Sequence, residues 1–230
     1  MYYDLHIHSC LSPCADDDMT PANIAAMARL KGLGMIALTD HNTGGNLIAM
    51  DRAARDNGLI FVPGVEATSR EEVHVLLYFS DLGAAMHFTQ KLYNSLPDIA
   101  NRPEIFGHQL MLDENEAPAG ELSKLLLQAT PYGIEELTAM AREAGGAAVP
   151  AHVNRESFSV ISNLGFIPPG IFSAVEVAQN LPCPLFKTPY RILCSSDAHN
   201  LGDISEAAFD LPEVKNAEDF VSFFADRSLS

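Results

Sequence analysis

Eight histidines stand in this 230-residue chain, and their spacing suggests chemistry more than their number does. His6 and His8 are two apart in Tyr-Asp-Leu-His-Ile-His, a run that reads as extended, so both imidazoles project from one face. Asp197 and His199 repeat that spacing after the apolar run Arg191 to Ser195. His41 follows Gly-Met-Ile-Ala-Leu in Thr39-Asp40-His41-Asn42, and Glu66 ends Leu-Ile-Phe-Val-Pro-Gly-Val. His74 lies within Val-His-Val-Leu-Leu-Tyr-Phe, and His152 closes Ala-Val-Pro-Ala-His. Asp16, in the loop after the first apolar run, completes a set of imidazoles and carboxylates that suits zinc, manganese or iron in preference to calcium. A single histidine of this kind is ordinarily a hydrogen-bonded core residue. Six at strand ends would leave more polar groups than a dry core satisfies, whereas metal ions satisfy them together.

The elements that must position these groups are legible as apolar, β-rich runs at Tyr2 to Ile7, Gly34 to Leu38, Leu59 to Val65, Val73 to Phe79, Gly146 to Ala151, Ala174 to Val177 and Arg191 to Ser195. Amphipathic stretches such as Thr20 to Lys31, with Pro21 at a first-turn position, and Gly133 to Ala144 predict helices between them. Alternation of this kind predicts a largely parallel sheet, open or closed into a barrel, with the site at the C-terminal ends of the strands. The stretch from about 81 to 131 breaks the alternation with Pro97, Pro103, Pro118 and Pro131. It is expected to be an insertion, helical with a short hairpin, that shapes or covers the site.

At 47% hydrophobic residues the chain can bury one sizeable core, so a single domain over 1–230 is expected. No basic segment followed by an apolar run opens it, and no stretch approaches the length of a membrane span. The cysteines, at 10, 14, 183 and 194, are too sparse for a disulfide framework and fit a reducing cytoplasm. With 30 acidic against 14 basic residues the formal charge is -16, so duplex nucleic acid is expected to be repelled.

Asp4-Leu5-His6-Ile7-His8-Ser9, Thr39-Asp40-His41-Asn42, Glu66 with His74 after it, Pro150-Ala151-His152 and Ser196-Asp197-Ala198-His199, in that order, resemble the motifs of the PHP (polymerase and histidinol phosphatase) metallophosphoesterases. The resemblance implies a distorted (β/α)7 TIM-like barrel with two or three divalent ions. One ion would take His6, His8, Glu66 and Asp197; a second would share Glu66 and add His74 and His152; a third would take Asp16, His41 and His199, with Cys14, Asp17 and Asp18 competing for the place of Asp16.

A pair of such ions bridged by hydroxide attacks phosphorus without a side-chain nucleophile. Asp197 and His199 are candidates to assist proton transfer. Arg155, three residues beyond His152, is a candidate phosphate grip or a solvated loop residue. Asp4 and Asp40 are candidates to orient ligand imidazoles or to cap the chain locally. The expected activity is hydrolysis of a small phosphomonoester or nucleotide. The alternatives are an exonuclease acting on short oligonucleotides, a metal-binding regulatory domain without turnover, and hydrolysis of a carbon–nitrogen bond on a related metal barrel.

Overall fold

A computed structural model describes residues 1–211 and 214–225. In chain order its elements are β1 (Tyr3–Asp4), α1 (Pro21–Leu30), β2 (Met35–Leu38), α2 (Leu47–Asp56), β3 (Ile60–Thr68) and β4 (His74–Tyr78). Next come α3 (Leu82–Ser95), α4 (Pro103–Phe106), β5 (Leu110–Leu112), β6 (Pro118–Glu121), α5 (Ile134–Glu143) and β7 (Ala147–Pro150). The series ends with α6 (Val160–Leu164), β8 (Ala174–Ala178), β9 (Arg191–Ser195) and α7 (Ala217–Ala225).

Strands β1, β2 and β3 run parallel, joined by α1 and α2 as crossovers. The side chain of Thr20 accepts from the main-chain N–H of Asn23 and fixes the start of α1, with Pro21 at a position where its missing N–H costs nothing. The expected parallel order then fails. β4 pairs antiparallel with both β3 and β7, and Thr68 stands opposite His74 across a tight connection. A full barrel of seven strand–helix repeats is therefore not seen among the described residues. Five strands form a curled half-barrel in the order β1-β2-β3-β4-β7, and β8 and β9 form a separate parallel pair.

Scattered bonds, not a continuous ladder, tie this pair to the larger sheet. The N–H of Val153 donates to Glu176 O at 2.8 Å beyond the end of β7, and Ile7 bridges Ala198 beyond the ends of β1 and β9. The loops holding His152 and Asp197 are thereby pinned to the curled sheet.

Alternate residues of each strand feed two apolar layers, as the period of two in a strand requires. Ile36, Leu38 and Leu77 pack with α1, α2 and α5. Met35, Ala37, Leu76 and Tyr78 pack with Phe220 and Phe224 of α7. The hydroxyl of buried Tyr78 donates to Leu5 O at 2.8 Å, so that the polar end of the ring is satisfied while its body fills the core.

The 81–131 segment lies against the 9–19 loop beside the site. The Leu110 N–H donates to Cys10 O at 3.0 Å, and Leu11 packs with Leu96 and Leu126. Gly107 (φ +98°) touches this loop where an added Cβ would run into the carbonyl of Pro13, so the close approach requires glycine.

Candidate metal centre

Residues from six separate stretches of the chain converge at one rim of the curled sheet. His6 and His8 follow β1, His41 follows β2, and Glu66 lies in β3. His74 opens β4, and its antiparallel course brings the first residue of that strand to the rim where β2 ends. His152 follows β7, and Asp197 and His199 follow β9.

At the centre is Glu66, 1% exposed. Its Oε1 lies 3.3 Å from His6 Nε2, 2.9 Å from His74 Nδ1 and 3.2 Å from His152 Nε2, and its Oε2 lies 3.3 Å from His8 Nε2 and 3.1 Å from His41 Nδ1. Asp197 Oδ1 is 3.1 Å from both His6 Nε2 and His8 Nε2, and those two nitrogens are 3.2 Å apart.

Protons alone do not satisfy this arrangement. Each ring that presents a bare nitrogen to the carboxylates repels them, whereas protonating every ring buries more positive charge than the two carboxylates offset. His41 Nδ1, His74 Nδ1, His152 Nδ1 and Asp197 Oδ1 are buried without a hydrogen-bond partner among the described residues.

The triangle of His6 Nε2, His8 Nε2 and Asp197 Oδ1, with edges of 3.1 to 3.2 Å, is near the edge of about 3.3 Å expected for ligands at about 2.0–2.1 Å from one tetrahedral ion, and Glu66 lies 3.3 Å from each imidazole, through Oε1 to His6 and Oε2 to His8. Two further groups, His41 with Glu66 and His74, and His8 with His41 and His199, have ligand atoms close enough to share an ion. The residues present fit a metal centre.

The outward nitrogens of His6, His8 and His199 are already engaged, which fixes the tautomer each ring takes when neutral. His6 Nδ1 donates to both carboxylate oxygens of Glu176 at 3.0 and 3.1 Å, so Nε2 is the nitrogen that faces the centre and becomes bare when the ring gives up a proton. His8 Nδ1 donates to Ser12 Oγ at 3.0 Å, and Ser12 in turn donates to Asp40 Oδ1 at 2.7 Å. His199 Nδ1 donates to the carbonyl of Asp197 at 2.8 Å.

Asp40 thus reaches His8 through Ser12, while also accepting from the N–H and hydroxyl of Ser9. Asp4 touches no ring. Its carboxylate accepts from Ser196 Oγ at 2.6 Å and from the N–H groups of Ser196 and Ser205, holding the loop that carries Asp197 and His199.

The electrostatics follow from crowding. Burial works against a charged ring at His6, but Asp197, Glu176 and Glu66 outweigh it and hold that imidazole well above its usual range. The same opposition raises His8 to about 9. Burial pushes His41 well below the ordinary value and His199 down to about 4, with the neighbouring His8 acting in the same direction. Burial opposes the ionised form of Glu66, and His74, His6 and His41 more than compensate, so it stays charged.

His152 and Asp197 have positive φ, +30° and +55°, a strained backbone for such residues, as is frequent where a side chain is aimed at a site.

The structure does not bring the Asp16 carboxylate into this cluster. Asp16 is exposed, facing a surface groove with Asp17, Asp18 and His108, and its contribution is a main-chain N–H donated to His199 O at 2.9 Å. Turn bonds from Ala15 to Ser12 and from Met19 to Asp16 hold the loop in that course.

Arg155 donates from Nη1 to Asp197 Oδ2. Arg155 and Asp197 line both a cavity of about 100 Å³ over the cluster and an adjoining one of about 460 Å³ that Lys31, Gln179 and Asn180 also border. Glu176, which orients His6 and also accepts from the His152 N–H at 2.8 Å, is a site residue that motif reading passes over. Its signal is a lone carboxylate in the buried run Ala-Val-Glu-Val-Ala.

Fold and site together define an α/β protein with a buried imidazole–carboxylate centre at a strand-end rim. No family model matches the chain. Over 76 residues, 32% of this chain, it is 36% identical to a 3′,5′-nucleoside bisphosphate phosphatase of Chromobacterium violaceum; the match spans 26% of that protein. Its fold is that of a protein from Bifidobacterium adolescentis described as a metal-dependent phosphoesterase (TM-score 0.56, 19% identity, 96% of this chain and 94% of that one).

A lesion-specific endonuclease from Pyrococcus furiosus shares the fold at TM-score 0.59 and 22% identity, over 88% of this chain and 49% of the endonuclease. An amidohydrolase of Chromobacterium violaceum solved with bound sulfate does so at TM-score 0.59 and 20% identity, over 92% of both chains. These solved structures, all at 22% identity or below, share this chain's fold, and the match to the phosphatase spans about a quarter of that protein's length. Among the described residues no helix is long and apolar enough to cross a membrane.

Proposed function

We propose that the chain hydrolyses a small phosphomonoester or nucleotide at a centre of two or three divalent ions, zinc, manganese or iron. One observation carries the reading. His6, His8, Glu66 and Asp197 present four donors at the spacing of a shared ion, and the far nitrogens of both histidines are already committed to Glu176 and Ser12.

In this reading Glu66 is shared with His74 and His152, with His41 close to the same carboxylate, and His199 serves a third position together with His41. Asp16 would join that third position only after its loop turns inward. Such ions supply a water of lowered pKa and offset the charge of the phosphoryl oxygens. The chain's own residues then do the rest. Asp197 or His199 assists proton transfer, His199 through Nε2 when no third ion occupies it, with Nδ1 pinned to the Asp197 carbonyl and the ring neutral at physiological pH. Arg155 offers its remaining N–H groups to the phosphate from the junction of the two cavities.

Nucleotide-sized substrates are favoured by the nucleoside bisphosphate phosphatase match and by a charge of -16 that disfavours long polyanions. A structure of endonuclease Q in complex with a 27-mer duplex shares this fold, yet about half of that protein, 51% of its length, lies outside the match. The four free thiols suit a cytoplasmic setting.

The test is metal analysis of the purified protein beside hydrolysis of an aryl phosphate, an aryl phosphodiester and a nucleotide panel, before and after chelation. Two or three ions with chelator-sensitive phosphate release support the reading. Bound metal with no turnover on any phosphoester moves it to a regulatory domain, and salt-sensitive cleavage of oligonucleotides moves it to a nuclease.

A further inference from the structure

Phe158 borders the cavity over the metal cluster without offering it a ligand atom. Its ring lies nearly parallel to that of His74, 17° apart with centroids 4.8 Å from each other, so one face is covered by a residue of the cluster. The residue nevertheless remains 45% exposed, which leaves a large aromatic surface open beside the site.

Its backbone is left-handed, at φ +54°, a conformation that bulky residues rarely adopt. That strain is held by the chain around it. The N–H of His74 donates to Phe158 O at 2.8 Å, and Ser159 donates from Oγ to Arg155 O at 2.9 Å while capping α6 by accepting from the Ser162 N–H at 3.1 Å. A residue needed only to shield His74 gains nothing from strain combined with an open face. A flat ring held rigidly at the mouth of a polar pocket, with Arg155 three residues away on the same loop, is the arrangement that binds an aromatic ring attached to an anion.

Resting on the phosphoesterase reading, we infer that Phe158 is a stacking platform for a planar ring in the substrate's leaving group, so that the site favours nucleoside and aryl phosphates over sugar and alkyl phosphates. The phosphoryl group lies at the cluster and the base stacks on the open face of Phe158. The specificity is for a ring and not for one base, because stacking is tolerant of base identity.

The experiment uses the metal-loaded protein and a fluorescent 2-aminopurine ribonucleoside 5′-phosphate mixed by stopped flow, so that binding is read before turnover. Stacking quenches the emission of this base, and the chain contains no tryptophan to interfere. Ribose 5-phosphate serves as the ring-free competitor.

The expected result is quenching on binding, with the nucleotide bound about tenfold more tightly than ribose 5-phosphate. Phe158→Leu should abolish the quenching and weaken the nucleotide about tenfold while leaving ribose 5-phosphate within about twofold; Phe158→Tyr should retain both properties. Equal wild-type affinities for the two ligands, unchanged quenching in Phe158→Leu, or equal weakening of both ligands in that variant overturns the platform while leaving the phosphoesterase reading intact. Failure of the metal-loaded protein to bind either phosphate removes both.

Discussion

The carboxylate of Glu176 accepts from Nδ1 of His6 with both oxygens, at 3.0 and 3.1 Å, in surroundings where neither residue meets solvent. That bond decides which nitrogen of His6 carries the proton, and with it whether Nε2 can act as a ligand. Glu176→Gln keeps the shape but allows an amide N–H to face the ring, which favours the tautomer with its proton on Nε2. We expect the affinity for the first ion to fall about 10- to 100-fold, with the circular dichroism spectrum unchanged. Competition titration against a chromogenic chelator measures it, and an affinity equal to the wild type would remove Glu176 from the site.

Ser12 occupies the corresponding position for His8, accepting from its Nδ1 and donating to Asp40, while the His41 N–H also donates to it at 3.2 Å. Removing the hydroxyl leaves a buried ring N–H and a buried main-chain N–H unpaired, and Asp40 loses a donor where burial already raises its pKa. Ser12→Ala should therefore cost about 1–3 kcal/mol in urea unfolding of the metal-free protein. Metal binding should weaken as well. A change in affinity without a change in stability would mean that Asp40 and the ring had found other partners.

Much of this site was legible in the sequence. The seven apolar runs all contain strands, and the ordered histidine motifs lie at the strand-end rim. The direction of β4 was not, because an apolar run reads the same whichever way it is paired. The connection over 69–73 carried the missing signal, being far too short for a parallel crossover, which takes a dozen residues or more. The strand expected at Tyr2 to Ile7 is regular only over Tyr3–Asp4; further on, Ile7 accepts from the Thr39 N–H at 2.9 Å and forms an isolated bridge to Ala198. Asp16 was chosen for its residue type, and type does not reveal which way a loop side chain turns. Glu176 was missed because an isolated acid in a strand has no motif, and its role depends on tertiary contact with His6.

Metal uptake should expel protons. In the metal-free chain His6 is held well above the usual imidazole range and His8 at about 9, since the surrounding carboxylates outweigh the effect of burial. Both rings are therefore charged near neutrality and must lose a proton to bind an ion. Affinity is expected to climb with pH through neutrality, the His8 proton being lost near 9, and to flatten only once the His6 proton is gone as well. The stability of the metal-free protein should move oppositely. The contribution of a raised histidine is full below its unfolded value, near 6.5, and is lost as pH passes its folded value. Calorimetric titration in two buffers of different ionisation enthalpy counts the protons released, and a count of zero at pH 7 would contradict the charged rings.

Arg155 divides the two parts that Asp197 plays. In the structure its guanidinium donates to Oδ2 of Asp197, whose Oδ1 faces His6 and His8. If the arginine serves chiefly to hold that carboxylate, Arg155→Ala lowers metal content. If it grips phosphate, metal content stays constant and the Michaelis constant rises. We expect the second outcome, because Asp197 remains fixed by His6 and His8, whereas the remaining guanidinium donors stand at the junction of the two cavities. Loss of a charge-assisted bond to phosphate, about 1.5–3 kcal/mol, corresponds to an increase of roughly 10- to 150-fold in the Michaelis constant for a phosphomonoester. Arg155→Lys should recover only part of it, since an ammonium lacks the paired donors of guanidinium. Metal analysis beside initial-rate kinetics separates the cases, and an unchanged Michaelis constant with full metal content would show that Arg155 is an ordinary solvated loop residue.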